Sequence, residues 1–281
     1  MKKTLALISS GGGMTCSYSA GVIFALAEKY KLKEPDIAIG SSGSAGTLAY
    51  FVAGQYQSIK NIWTNLLNTK KVLNIIRFWK IFNIDYIIDD IFKIEEPLKT
   101  SNIYKSKTNL LIPFTNADSG KVEYFSNRET GDIFEALRAT KAMPLVYGKL
   151  VKINNSHYCD TYLSSNVSLN LVKAKGLGAE KFLVIESSKR NPLIEKGLSL
   201  WTHTRNKQFR DEYKNELLHL PKMTYDQNIF VLKPESELKI STLDNKSMLL
   251  KETFELGYNE TINNKLLKKF LEDFNKPLLS L

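Results

Sequence analysis

The chain has 281 residues, 43% of them hydrophobic, which is enough to bury a large core without disulfides. Two cysteines exclude a disulfide scaffold, and no apolar run approaches the ~20 residues of a membrane-spanning helix. The net charge of +10 would suit an anionic partner, but the basic residues form no nucleic-acid-binding motif, so we expect no nucleic acid partner.

The first predicted element is a buried strand over Leu5–Ser9. Its apolar run is shorter than the roughly seven residues that the apolar part of a secretion signal needs. The loop Ser9-Ser10-Gly11-Gly12-Gly13 follows, and then a helix over Ser17–Lys29 whose apolar residues recur on one face. This order predicts a glycine-rich turn between the end of a strand and the start of a helix.

The glycines of this loop allow backbone amide groups to converge on an anion. Taken alone, they leave three interpretations open: a phosphate site, an oxyanion hole and a plain tight turn. A Walker loop would need Gly-Lys-Ser/Thr where Gly13 is followed by Met14-Thr15. A dinucleotide fingerprint would need a third glycine at Cys16. A nucleotide-binding protein therefore rests on weak signals, and we expect no cofactor and no metal.

A second small-residue turn follows the predicted strand Asp36–Gly40 and precedes an apolar helical pattern. A strand, a sharp turn and a helix are the layout of a nucleophile elbow, whose neighbours must be small because strand and helix approach closely. Ser42 has Gly40 and Ser44 as these neighbours, whereas Ser44 has Ser42 and Gly46. Both serines remain candidates, and the direct entry of the strand into Gly40 favours Ser42. The alternative is a serine that only caps the helix.

The remaining elements continue the alternation of strands and helices. They are strands over Leu110–Thr115, Lys121–Phe125 and Phe182–Glu186, and helices over Ala45–Gln55 and Leu169–Lys175. Such alternation predicts an α/β fold with a largely parallel central sheet. The stretches 57–101 and 191–226 are interpreted as helical or irregular insertions over the sheet.

Four segments occur along the chain in an informative order. They are Leu7-Ile8-Ser9-Ser10-Gly11-Gly12-Gly13, Gly40-Ser41-Ser42 with Tyr50-Phe51-Val52-Ala53-Gly54-Gln55, Ala136-Leu137-Arg138-Ala139-Thr140-Lys141-Ala142-Met143-Pro144, and Tyr158-Cys159-Asp160-Thr161-Tyr162. Together they resemble the patatin-like phospholipase family, and the spacing from Gly54-Gln55 back to the elbow matches that family when Ser42 is the nucleophile. The resemblance spans nearly the whole chain. It implies a three-layer αβα sandwich with a mainly parallel central sheet, in which residues 1–281 form a single domain.

The resemblance also implies a mechanism. Ser42 would attack a fatty-acyl ester and Asp160 would act as its general base, in a Ser–Asp dyad that works through an acyl-enzyme. The oxyanion would be held by backbone amide groups, from Gly11, Gly12, Gly13 and Gly43. An aspartate with an ordinary pKa near roughly 3.9 would need partial burial for this role. The three histidines are then not needed as bases.

Departures from the family pattern bear on activity. Thr15 stands where the family has a basic residue, Ser44 replaces the second elbow glycine, and Thr161 and Tyr162 replace the glycines after Asp160. If these positions need a positive φ, their side chains would impose a strain of about 1–2 kcal/mol. The alternative function is therefore a weakly active or inactive relative that binds lipid acyl chains or a protein partner.

The segment 59–82 mixes apolar and basic residues. Its apolar members are Ile62, Trp63, Leu66, Leu67, Ile75, Ile76, Phe78, Trp79 and Phe82. We favour helices packed on the sheet, with use as a lipid-access lid, over the alternative of peripheral contact with an anionic membrane. Cys16 and Cys159 are interpreted as buried thiols, and a chain without a disulfide scaffold suits a reducing, cytoplasmic location.

Overall fold

An eight-stranded sheet forms the centre of the computed structural model, which describes residues 3–77, 80–187, 192–222 and 226–275. Its strands are β1 (Leu5–Ser9), β2 (Ile37–Gly40), β3 (Asn109–Asn116), β4 (Val122–Ser126), β5 (Val151–Ile153), β6 (Ser156–Cys159), β7 (Lys181–Ile185) and β8 (Ile229–Leu232). The α-helices are α1 (Cys16–Glu28), α2 (Gly43–Val52), α3 (Tyr56–Asn61), α4 (Thr100–Lys105), α5 (Ile133–Ala139), α6 (Pro144–Tyr147), α7 (Val167–Gly176), α8 (Pro192–His203), α9 (Lys207–Leu218), α10 (Ser247–Ile262) and α11 (Lys265–Asn275). A 3-10 turn covers Gly13–Thr15, and two π-helical segments cover Ile62–Leu66 and Tyr86–Glu95.

The sheet is mixed but mainly parallel, with the strand order β5-β6-β3-β2-β1-β7-β8 and with β4 paired to β3. Strands β3, β2, β1, β7 and β8 are parallel to one another, whereas β4, β5 and β6 are joined by antiparallel pairs. Every residue of β1 and β7 is buried, as expected for central parallel strands that helices cover on both faces. The predicted α/β fold with a mainly parallel sheet is therefore confirmed.

Helices pack on both faces of the sheet and complete three layers. On one face, α1, α2 and α10 surround a core that includes Tyr18, Phe51 and Phe254. On the other face, Leu171 and Ala174 of α7 pack against apolar residues of β1, β2 and β7. The order of layers is that of the predicted αβα sandwich.

The register of the sheet brings three loops to one edge. Ser9 of β1 lies opposite Gly40 of β2, so both serine-glycine turns leave the sheet side by side. At the carboxyl end of β3, which is parallel to β2, Thr115 pairs with Cys159, the last residue of β6. Asp160 follows directly and emerges at the same edge.

Helices α1 and α10 cross in close backbone contact because each carries a glycine at the crossing. A methyl group added at Gly21 would overlap the carbonyl oxygen of Phe254, and one added at Gly257 would overlap that of Tyr18. The Tyr18 hydroxyl also donates a hydrogen bond of 2.7 Å to Glu260. This crossing ties the first helix of the chain to a helix late in the sequence.

The predicted strands and helices agree closely with the structure; the first insertion combines helical and irregular segments, and the second is largely helical where it is described. β1 has its predicted bounds, and α1 begins one residue before the predicted Ser17. The first insertion contains the two π-helical segments, and the second contains α8 and α9. Phe78 and Trp79 of the predicted lid lie outside the described residues. None of the described helices combines the length and apolar character that crossing a membrane requires.

Candidate active site

Ser42 occupies the turn between β2 and α2 in a backbone conformation that few residues with a side chain adopt. Its φ is 49° and its ψ is −118°, and the other non-glycine residues with positive φ in the described chain are Lys31 and Asn154. Such strain persists where surrounding contacts impose it, and it is typical of a nucleophile elbow. The side chain is buried, yet it reaches two cavities.

The residues that depart from the family pattern are accommodated by local hydrogen bonds. The fully buried Ser44 hydroxyl donates to the carbonyl oxygen of Ser10 at 2.7 Å. Thr15 donates to a carbonyl oxygen of the glycine loop at 2.9 Å, and the hydroxyl of Thr161 is hydrogen bonded in the core. Neither Ser44, Thr161 nor Tyr162 has a positive φ, so the condition for the expected backbone strain is not met.

The glycine loop lies directly beside Ser42. A methyl group on Gly11 would lie 3.0 Å from Ser42 Cβ, and one on Gly43 would lie 2.8 Å from the Gly13 carbonyl oxygen. Gly13 also has a φ of +59°, which favours glycine. Within the described residues, no hydrogen bond uses the amide groups predicted for the oxyanion hole, those of Gly11, Gly12, Gly13 and Gly43.

Asp160 is the carboxylate that faces Ser42. Its buried side chain accepts hydrogen bonds from the hydroxyl groups of Ser164 at 3.3 Å and of Ser165 at 3.2 Å, and it lies close enough to the Ser42 hydroxyl for that group to lower its pKa. Burial raises the pKa of this carboxyl to about 6, against the three hydroxyl groups and the ammonium of Lys141, which lower it. A carboxylate with this pKa is mostly ionised at pH 7 and accepts a proton more readily than an ordinary aspartate.

Several polar residues around this pair had no role in the sequence prediction. Besides the two serines that bind Asp160, Thr140 accepts a hydrogen bond of 3.0 Å from the Ser42 amide. The buried ammonium group of Lys141 donates to the carbonyl oxygen of Ser42. Burial lowers the pKa of Lys141 to about 8. The sequence offered one signal for this region, the family-like segment in which Thr140 and Lys141 lie.

Ser42 lies where two cavities of different character meet. The first has about 730 Å³ of empty space including its open mouth and is lined almost entirely by apolar groups, among them Trp63, Phe82 and Phe92. The second is a wider cleft of about 1360 Å³ including its open mouth; its lining is mixed and more polar than that of the first, and the glycine loop and Asp160 form part of its wall. An apolar cavity and a more polar cleft that meet at one serine suit a ligand with an apolar chain and a polar group.

Other groups that could carry chemistry lie elsewhere or are buried and neutral. His157 is half exposed on β6 beside a carboxylate, and His203 and His219 are exposed. Cys16 and Cys159 are free and buried, and burial raises the pKa of both thiols. No cluster of His, Cys, Asp or Glu in the described part of the chain is arranged to hold a metal ion.

Comparison with known sequences identifies one family. The model of the patatin-like phospholipase family matches residues 7–172, which is more than half of the chain. No sequence among the curated proteins matches. The matched range contains the glycine loop, the elbow with Ser42 and the loop with Asp160.

Comparison with solved structures finds one protein of similar fold and two weaker matches. VipD from Legionella pneumophila superposes with a TM-score of 0.58 at 13% sequence identity, over 97% of this chain and 67% of that one. The type III effector ExoU gives a TM-score of 0.43 at 12% identity, over 98% and 54%. The ExoU–SpcU complex of the Pseudomonas aeruginosa type III secretion system gives 0.42 at 13% identity, over 97% and 52%. The chain thus spans about half to two thirds of the length of these proteins.

Proposed function

Because the chain belongs to the patatin-like phospholipase family, we propose that it hydrolyses fatty-acyl esters of lipids with Ser42 as nucleophile and Asp160 as general base. One observation carries the proposal: the Ser42 hydroxyl lies beside the buried Asp160 carboxylate, whose pKa is raised to about 6 by burial although the interaction with Ser42 lowers it. A serine hydroxyl is a weak nucleophile until a neighbouring base takes its proton, and this carboxylate is in position to do so.

The reaction proceeds in two halves. Asp160 takes the Ser42 proton while the hydroxyl oxygen attacks the ester carbonyl carbon, and the negative charge that develops on the carbonyl oxygen faces the amide groups of the glycine loop. The alcohol leaves with the proton from Asp160, which leaves an acyl-serine. A water molecule then gives a proton to Asp160 and attacks the acyl-serine. As the fatty acid leaves, this proton passes from Asp160 to the Ser42 oxygen, which restores the free serine and the carboxylate.

The two cavities support an assignment of substrate parts. The acyl chain occupies the apolar cavity, where its transfer from water is favourable at about 25 cal/mol per Å² of apolar surface. The polar head group occupies the wider cleft on the other side of Ser42. Gly46 contributes to the fit of the apolar cavity, because a methyl group there would lie 2.8 Å from the ring of Phe92.

We further propose that the protein contacts an anionic membrane surface peripherally. Leu73 and Phe82 form an isolated antiparallel bridge, and Phe82 lines the apolar cavity. Beyond this bridge, Ile75 and Ile76 are 68% and 81% exposed, next to exposed lysines at 70 and 71. Exposed isoleucines beside lysines fit the boundary between water and an anionic bilayer. A cytoplasmic location stays a prediction, consistent with two free cysteines.

A fluorophosphonate probe tests the proposed nucleophile. We expect the wild-type protein to be labelled at Ser42 and to hydrolyse short acyl esters, and Ser42→Ala to lose both by at least about a thousandfold, because the covalent step is removed. Ser44→Ala is the matched control. It loses one buried hydrogen bond, so a cost of about 1 kcal/mol in stability is expected and labelling persists.

Other outcomes would change the assignment. Labelling that survives Ser42→Ala and is lost in Ser44→Ala would transfer the role of nucleophile to Ser44. A folded wild-type protein with neither labelling nor esterase activity would favour the alternative, a relative that binds acyl chains or a protein partner without hydrolysis.

A further inference from the structure

The segment Thr140-Lys141-Ala142 contacts the backbones of both members of the proposed dyad. The Thr140 hydroxyl accepts the Ser42 amide proton at 3.0 Å, and the Lys141 ammonium donates to the Ser42 carbonyl oxygen. One residue further, the Ala142 carbonyl oxygen accepts the amide proton of Asp160 at 3.0 Å. Three consecutive residues thereby fix both backbone groups of Ser42 and the amide of its partner.

A lysine at position 141 destabilises the folded protein relative to an apolar residue of similar size. Its side chain is buried and forms part of the wall of the apolar cavity, where an ammonium group loses most of its hydration. A methionine has a similar volume and would fill the same space without burying a charge. Packing alone therefore does not account for a lysine here, whereas the Ser42 carbonyl oxygen and the Asp160 carboxylate do.

The Lys141 ammonium group acts on Ser42 and on Asp160 in different ways. It holds the carbonyl group of a residue whose φ of 49° is unfavourable for any side chain, so it opposes relaxation of the elbow. Its charge also lowers the pKa of the Asp160 carboxyl, against the effect of burial.

We propose that Lys141 is a positioning residue for this reaction: its ammonium group holds the Ser42 carbonyl and stabilises the Asp160 carboxylate. The inference rests on the proposed function. It adds a third residue, which does not touch the reacting atoms, to the Ser–Asp pair.

The effect of the Lys141 charge on the pKa of Asp160 can be distinguished from the effects of the other titratable groups nearby. The other titratable groups that act on this carboxyl or share its cleft are Cys16, Cys159, Tyr162, Tyr213, Glu186 and Glu195. Burial raises the pKa of both thiols, and it raises that of the Tyr213 phenol to about 12, so these three stay neutral between pH 5 and pH 8. Among these groups, Lys141 is the cation, so removal of its charge must raise the pKa of Asp160.

The test is the pH dependence of fluorophosphonate labelling and of kcat/KM in Lys141→Met, Lys141→Gln and Lys141→Arg. We expect the acid limb of the wild type near pH 6, because burial raises the pKa of Asp160 to about 6. We expect Lys141→Met and Lys141→Gln to move this limb to higher pH and to lower kcat/KM at pH 7 about 10- to 100-fold. Lys141→Arg retains the charge and should keep the limb within a few tenths of a pH unit.

Lys152→Met is the control, because it removes an exposed lysine from β5 and should change neither rate nor limb. An unmoved acid limb in folded, labelled Lys141→Met would overturn the role of Lys141 and leave the dyad intact. If Lys141→Met does not fold, the same test is made by comparing the acid limb of Lys141→Gln with that of Lys141→Arg. A wild-type protein without labelling or activity would overturn the proposed function and this inference together.

Discussion

Ser42 and Asp160 are both held in states that cost folding free energy. A non-glycine residue in a sparsely populated backbone region costs about 1–3 kcal/mol, and Ser42 has a φ of 49°. A buried carboxylate is disfavoured by the loss of its hydration, which is why the pKa of Asp160 is raised to about 6. Proteins retain such costs where function needs the geometry or the charge state.

Substitution of Asp160 by asparagine should therefore trade activity for stability. An acid whose pKa is raised from 3.8 to about 6 by folding destabilises the fold as it ionises, from the unfolded-state pKa upward, with the full effect above pH 6. We expect Asp160→Asn to abolish labelling and to raise the free energy of unfolding at pH 8 by up to about 3 kcal/mol, with little gain near pH 4. Urea denaturation at both pH values measures this difference.

Asp90→Asn is the control for that experiment, since it makes the same change of residue type at an exposed position away from Ser42. Equal stability changes of Asp160→Asn at pH 4 and pH 8 would contradict a raised pKa in the folded protein.

At the residue scale, the sequence predicts Ser42 and Asp160 as candidates but not the residues that contact them. Ser42 and Asp160 lie in short motifs that resemble the family, so their residue types and their spacing can be identified from the sequence alone. Lys141, Ser164 and Ser165 act only through contacts that the fold creates, and a lysine or a serine pair has no intrinsic tendency toward a buried site. These roles could not be inferred before the chain was folded.

At the scale of elements, the contact between α1 and α10 has an unusual requirement for small residues. Gly21 and Gly257 allow the two helix backbones to touch, and the adjacent Tyr18 and Phe254 are buried in the same core. α10 lies beyond residue 172, where the family match ends, and so does β7, which pairs with the central strand β1. We infer that the chain on both sides of residue 172 folds as a single unit.

Gly257→Ala should weaken this unit as a whole. The added methyl group would overlap the Tyr18 carbonyl oxygen, so the helices must separate, and we expect a loss of about 2–4 kcal/mol in a single cooperative thermal transition. Gly176→Ala, in α7, is the control. No atom lies within 4 Å of the added methyl group there, and alanine favours the helix by up to about 1 kcal/mol.

Two separate transitions, with only one of them shifted by Gly257→Ala, would argue against a single unit. Unchanged stability would show that the helices can separate at no cost.

Elements were predictable where the local pattern agrees with the fold. β1 and β2 are uninterrupted apolar runs that end in serine or glycine; the pattern gave both bounds of β1 and the end of β2, which begins one residue after the predicted Asp36. β5 and β6 are three and four residues long with few apolar positions, so no periodicity marked them. α2 begins at Gly43, two residues before the predicted Ala45. Glycine disfavours a helix, but the strained turn at Ser42 starts the helix at the next residue.

At the scale of the whole molecule, charge and exposed apolar surface indicate how the protein meets its substrate. The chain carries a net charge of +10, so its long-range field favours an anionic surface at low salt. Ile75 and Ile76 supply an exposed apolar contact near Phe82, which lines the apolar cavity. A membrane bound on this side would present lipid acyl chains close to the cavity that we assign to them.

Vesicle co-sedimentation tests this orientation. We expect the protein to bind phosphatidylcholine vesicles more tightly when they contain an anionic phospholipid, and the double variant Ile75→Ser, Ile76→Ser to bind at least about tenfold more weakly, because each isoleucine contributes on the order of 1 kcal/mol when it is partly buried in lipid. Leu218→Ser with Leu266→Ser is the matched control, since these leucines are 72% and 70% exposed on α9 and α11. An equal loss of binding in both double variants would indicate general hydrophobic adsorption. Binding that does not depend on anionic lipid would show that the positive charge of the protein does not contribute to it. Because Ser42 and Asp160 are untouched, labelling by the soluble fluorophosphonate should remain at the wild-type rate in all of these variants.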